Sequence, residues 1–382
     1  MNQQICSYKI LGCIAFFAVF LSVYAQSDPA SERSAGYPPE TVRYLQGLYD
    51  EAEQQYTFRS DYTGGFEKWQ TDARRELKAL IGLNRIAAYN GDHKSKIELM
   101  EKTDRGTHTL QKGTIETEPN VQIPFWLLVP KGSGPFPLAI MPHGHDTRGE
   151  DTYAAVYHDE AHRQKTLAGD RDVAVQAVEN GFITIAPAVR GLSAKAPGVP
   201  DLRKRHGDKT CRSQFMHCLL AGRTAIGERV WDMLCLLDWG LTLPEVDTAT
   251  VLMMGNSGGG MVTLYTAACD ERISIAVPSC SFSVIASTQG YIYHCDCNAV
   301  PGILQWGNLY DVAGLIAPRY LLTVNGLKDK LHSVDDIKFA ASRVQAVYQA
   351  AGAETHYEHR WGPEGHRFYK DLMWPFINGS RE

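Results

Sequence analysis

Val251-Leu252-Met253-Met254-Gly255-Asn256-Ser257-Gly258-Gly259-Gly260-Met261 is the stretch on which the reading of this chain turns. Four consecutive apolar residues with no polar alternation read as a strand buried on both faces. The run Met261–Ala268 reads as a helix. Between them, Gly255-Asn256-Ser257-Gly258-Gly259 fits the pattern G-x-S-x-G. A turn that passes from strand to helix in so few residues is tight, and only small side chains fit around it. It lifts the serine hydroxyl above the carboxyl edge of a sheet, where open α/β sheets bind their ligands. The helix N-terminus then aims free N–H groups at any negative charge that develops there.

A serine hydroxyl is a poor nucleophile until a base takes its proton. Partners for Ser257 follow in the chain order acid, then histidine. Asp329 comes after the apolar run Tyr320–Val324 through Asn325-Gly326-Leu327-Lys328, and His366 lies in Gly362-Pro363-Glu364-Gly365-His366, beyond a last strand expected at Thr355–Glu358. Asp335 and Asp336 follow Ser333 at the start of a helical stripe and read as capping residues. His356 and His359 fall in or near a strand and read as structural, and His332 comes too early in the order. The oxyanion hole is expected from the N–H of Gly258 and a main-chain N–H of His145 in the loop His143-Gly144-His145-Asp146. The His145 side chain is left as a surface or supporting imidazole. Arg190, at the end of the run Phe182–Ala186, and Arg223 are candidates for holding a substrate carboxylate through two parallel bonds, or for structural ion pairs.

Working outward, apolar runs at Val121–Val129, Pro137–Met141, Phe182–Ala186, Val251–Met254, Ile273–Val277 and Tyr320–Val324 alternate with helical stripes such as Val230, Met233, Leu234 and Leu237. Such alternation predicts an α/β fold, a doubly wound and mostly parallel sheet. Residues 94–382 form this unit. Residues 26–93 are a polar leader and a helical extension, with helical spacing around Val42–Tyr56 and Phe66–Ile81. Residues 1–25 read as a signal peptide, because Lys9 precedes an apolar run from Ile10 to Ala25 that ends Val23-Tyr24-Ala25. That run is shorter than the roughly 20 residues a spanning helix needs, so no stable membrane insertion is expected after cleavage and the mature chain is expected to be periplasmic or secreted.

The net charge of -5 and the lack of a clustered basic run argue against a nucleic-acid surface. Of nine cysteines, Cys6 and Cys13 lie in the expected signal peptide. Cys235 and Cys269 read as small core residues, while export makes disulfides feasible for Cys211 with Cys218 and for Cys280 with Cys295 or Cys297. His294-Cys295-Asp296-Cys297 has no second ligand pair at zinc-finger spacing. No metal and no cofactor are therefore expected.

Several segments together resemble one branch of the α/β-hydrolases: Pro142-His143-Gly144-His145, Arg190-Gly191, Gly227-Glu228-Arg229-Val230-Trp231-Asp232, Gly255–Gly260, His294-Cys295-Asp296-Cys297-Asn298 and Asp311–Asp329, with Trp69-Gln70 and Arg74 in the helical extension. The chain is similar to the acetyl-xylan-esterase and dienelactone-hydrolase-like group of bacterial carbohydrate esterases. This resemblance implies the α/β-hydrolase fold and a poly- or oligosaccharide ester as substrate, carrying either acetyl or pectin-type methyl esters. Dienelactone hydrolases proper use a cysteine nucleophile, and this chain has Ser257. A peptidase on the same fold lacks room here for a gating domain, a lipase lacks a strongly apolar lid, and a non-catalytic sugar-binding protein would not need the serine, aspartate and histidine.

Overall fold

The computed structural model describes residues 37–196, 198–200 and 209–381. The expected signal peptide lies outside the described residues. Nine strands form one sheet: β1 Lys96–Asp104, β2 His108–Glu118, β3 Val121–Pro130, β4 Phe136–Ile140, β5 Ile183–Pro187, β6 Val246–Asn256, β7 Ile275–Ser279, β8 Tyr320–Gly326 and β9 Tyr357–Gly362. Their spatial order is β1-β2-β3-β5-β4-β6-β7-β8-β9. The first three strands and the β3–β5 pair are antiparallel, and from β5 to β9 every pair is parallel.

The apolar runs take this form because helices cover both faces of the sheet. Along β6, Val251 and Met253 enter one core layer while Leu252 and Met254 enter the other, and Leu138 and Ile140 on β4 alternate with Ala139 in the same way. The larger layer also takes in Trp69, Ala73 and Leu77 from the helix Gly65–Leu80. One core therefore runs from the helical extension into the sheet. Arg74 fastens the contact, its Nε and Nη2 donating to Ala268 O and Leu315 O, each at 2.9 Å. Ala268 lies in the last turn of the helix Gly258–Cys269, where carbonyls are left without intrahelical partners.

β3 to β9 lie where the sequence put strands, with ends shifted by a few residues, while β1 and β2 precede the first run read there. The last strand differs most. Glu354–His356 forms a 3-10 turn, and β9 begins at Tyr357. The first helix, Pro39–Asp50, stops short of the stripe expected to reach Tyr56, and the helix Thr210–Leu220 was not foreseen.

His359 on β9 is structural, as expected. Its Nδ1 lies 2.9 Å from Thr323 Oγ1 on β8, and its ring meets Trp361 at 4.6 Å between centroids. Burial pushes its imidazole down to about 4. An unfolded imidazole takes its proton near 6.5. Below that pH the unfolded chain binds a proton that the folded chain refuses, so stability falls as pH drops from about 6.5 towards 4. We expect the melting temperature to fall across this window and His359→Gln to remove about 2 kcal/mol of the loss. Calorimetry at pH 7 and pH 4.5 checks this, and an unchanged pH slope in the variant would contradict it.

Candidate active site

After β4 the chain runs to β5 on one side, and β6 then takes the place on the other side of β4. The crevice at such a switch point is where open α/β sheets bind ligands. It is framed here by the His143–Asp146 loop after β4 and by the turn after β6. Ser257 is at the apex of that turn with φ 57 and ψ -122, a conformation costly for a residue with a Cβ. Its N–H donates to Ser279 O at 2.8 Å, and its carbonyl accepts from Met261 N at 3.0 Å. Both flanking glycines are needed for close approach. A Cβ on Gly255 would stand 2.4 Å from Pro142 O, and one on Gly259 would stand 2.1 Å from the same oxygen.

Asp329 and His366 reach the same sheet edge from β8 and β9. The two strands end in register at Gly326 and Gly362. Beyond them the loops are joined by Leu327 N–H to Gly362 O at 2.8 Å and Lys328 N–H to Glu364 O at 3.0 Å. These bonds bring His366 Nδ1 to 2.7 Å from Asp329 Oδ2, while Asp329 Oδ1 accepts from Leu331 N–H at 2.9 Å. Burial alone would raise the Asp329 carboxyl, but the bond and charge of His366 outweigh it and hold the group below the usual carboxylate range. Such a carboxylate fixes the His366 tautomer with Nδ1 as donor and leaves Nε2 as the ring's basic nitrogen.

Gly258 opens the helix behind Ser257. Gly144 packs so tightly on the turn that a Cβ there would stand 2.6 Å from Asn256 O and 3.2 Å from Gly258 N. The loop carrying His145 thus borders Gly258, as two converging oxyanion donors would require. His143 beside it is wholly buried. Its Nε2 accepts from Val189 N–H at 3.0 Å and its Nδ1 donates to Gly144 O at 2.7 Å. It is a strut of the loop.

A cavity of about 940 Å³ opens over Ser257 and Gly258. Tyr49, Tyr291 and Tyr293 give it aromatic walls, and among the described residues Lys209 and Arg212 are the cationic side chains that line it.

Arg190 and Arg223 do not line this cavity; of the two readings offered for them, substrate clamp or structural ion pair, they take the second. Arg190 is buried and donates to Glu118 Oε1 at 2.6 Å and, through Nε, to Asp232 Oδ2 at 2.9 Å; a second bond joins it to Asp232 Oδ1. Arg223 pairs with Glu118 at 2.8 Å and Glu228 at 3.2 Å. Burial works against the Arg190 charge, and the carboxylates of Asp232, Glu228 and Glu118 more than restore it. The sequence left the choice open because Glu118, Glu228 and Asp232 are far from Arg190 in the chain, and nothing local announces their convergence.

The disulfide pairings are also corrected, since all seven described cysteines are free. Cys211 and Cys218 lie on one helix, Thr210–Leu220. Seven residues at 1.5 Å each put them about 10 Å apart along its axis, beyond the reach of a disulfide. Cys280 lies instead beside the Asp329–His366 pair, the three ligand atoms within 4.8 Å of one another. Cys295 and Cys297 face Cys211 and His145, whose ligand atoms likewise lie within 4.8 Å of one another. This corrects the reading of Cys295 and Cys297 as lacking further ligands. His294 turns to His332 instead, with ring centroids 5.2 Å apart. Sequence spacing could not find the cluster, because its members come from three separate segments.

No family model matches the chain. Over 166 residues, 42% of its length, it is 29% identical to YtaP of Bacillus subtilis (strain 168), which is named as a hydrolase; the chain spans about 56% of that relative. Among solved structures, one from Bacteroides fragilis named as an acetyl xylan esterase superposes with a TM-score of 0.66 at 15% identity, covering 90% of this chain and 96% of that one. A methylesterase superposes with a TM-score of 0.62 at 19% identity, covering 89% of this chain and 67% of that one. Together with the strand order and the turn after β6, these likenesses show the α/β-hydrolase fold.

Proposed function

We propose that the protein is an exported serine ester hydrolase that removes small ester groups, acetyl above all, from a poly- or oligosaccharide. The observation that carries this reading is the Asp329–His366 pair at 2.7 Å, on the same sheet edge as the strained turn that presents Ser257. Ser257 Oγ attacks the ester carbonyl while His366 Nε2 takes its proton, and Asp329 steadies the imidazolium. The N–H groups of Gly258 and His145 receive the oxyanion. His366 then protonates the leaving alcohol, and a water molecule frees the acyl group by the reverse sequence. The aromatic cavity walls suit the apolar faces of sugar rings, and the names of the structural neighbours support a carbohydrate ester. Export rests on the apolar run that ends at Ala25.

A second reading, hydrolysis of a uronate methyl ester, is favoured by one observation. Lys209 and Arg212 line the cavity where Arg190 and Arg223 do not, although Arg212 is also paired with Asp296. Assaying acetylated xylan and methylated pectin side by side for acetate and methanol separates the two. Acetate is the expected product. Methanol alone would transfer the assignment to the methyl ester, and neither product would overturn both.

A further inference from the structure

His145 and Cys295 line the cavity, and the buried Cys211 and Cys297 stand with them, outside the Ser257, Asp329 and His366 constellation. Their four ligand atoms lie within 4.8 Å of one another, and Cys297 Sγ is 3.5 Å from His145 Nε2. In a tetrahedron with metal–sulfur bonds of about 2.3 Å and a metal–nitrogen bond of about 2.0 Å, neighbouring ligand atoms are roughly 3.5–3.8 Å apart. The 3.5 Å between Cys297 Sγ and His145 Nε2 has that spacing, and three sulfurs and one imidazole nitrogen gathered within 4.8 Å are the donor set of a closed zinc site.

A second, independent observation points the same way. Arg229 is wholly buried. Among the described residues it donates to Arg190 O, Cys297 O, Asn298 Oδ1 and Cys297 Sγ, none of them a carboxylate. A buried guanidinium needs a compensating negative charge. Three thiolates and a neutral imidazole around Zn²⁺ carry a net charge of about -1, and Cys297 Sγ, 3.5 Å from Arg229 Nη1, brings that charge to it.

We propose that these four residues form a structural zinc site that pins the oxyanion loop. Cys211 belongs to the helix Thr210–Leu220, Cys295 and Cys297 to the 3-10 turn around Asp296–Asn298, and His145 to the loop after β4. The ion would thus fasten the helix and the 3-10 turn to the loop that borders Gly258. All four positions are filled by protein, so the metal holds geometry and does not activate water. Binding converts each of the three thiols to a thiolate, and the protons pass to solvent.

The test uses the full chain purified under reducing conditions, with metal content read by elemental analysis. About one zinc per chain is expected, together with protection of three cysteines from a thiol reagent until a chelator is added. Replacing the ion with Co²⁺ should give the visible bands of a tetrahedral thiolate complex. Cys297→Ser and Cys211→Ser should lose the metal, and Cys235→Ser should keep it. If the serine variants do not fold, the wild-type stoichiometry and Co²⁺ spectrum still decide. A wild-type chain that takes up neither ion, or a disulfide among Cys211, Cys295 and Cys297 in the exported protein, would overturn the proposal. Metal content is read without substrate, so failure of the esterase reading leaves this result unaffected.

Discussion

Ser257→Ala is expected to lower hydrolysis of a simple aryl acetate by about three to six orders of magnitude, with the fold intact. Alanine keeps the Cβ and occupies the same backbone, so the turn at φ 57 is no more strained than before. What disappears is the oxygen that, on the proposed mechanism, forms the acyl-enzyme. The residual rate would come from the oxyanion donors and substrate binding alone, and adding His366→Ala should cost little more, because the two side chains act as a unit. Kinetics with both variants, set beside their thermal melts, check this. Turnover close to wild type in Ser257→Ala would remove the serine from the mechanism.

Arg190→Ala is expected to act on stability and not on substrate recognition. It removes the guanidinium from a cluster in which Glu118, Asp232 and Glu228 converge on it, leaving Arg223 to pair with Glu118 and Glu228. Breaking one partner out of a buried ion pair costs about 3–5 kcal/mol, because the abandoned charges stay desolvated. Urea unfolding should show that loss, and Arg190→Lys should fall between the two because a lysine cannot hold Asp232 with two parallel bonds. KM for a soluble ester should stay within about threefold in whatever folds. A large rise in KM with unchanged stability would restore Arg190 to the substrate site.

These two arginines show where the sequence stops being legible. The sheet could be read because strands buried on both faces must be largely apolar, as Val251–Met254 is throughout and Tyr320–Val324 is but for Thr323. Ser257 could be read because the turn constrains its neighbours to glycine. Asp329 and His366 could be read because the fold fixes their order and places each after a strand. Arg190 also follows a strand, but its direction depends on acids recruited from β2 and from the helix Ala225–Gly240. The segment Gly227–Asp232 stood out by resemblance, yet its purpose appears only in three dimensions: Glu228 and Asp232 hold Arg190, and Arg229 holds the Cys297 turn. The cysteines were misread for the same reason. Cys211 and Cys218 are close in sequence but separated by two helical turns, whereas Cys211 and Cys297 are distant in sequence and adjacent in space.

The most direct test of the serine mechanism is covalent capture. The full chain is incubated with a fluorophosphonate probe, digested and mapped by mass spectrometry. The account predicts a single stoichiometric adduct on Ser257, abolished in Ser257→Ala and slowed in His366→Ala. An unlabelled chain that still hydrolyses esters, or an adduct on another residue that survives Ser257→Ala, would contradict it.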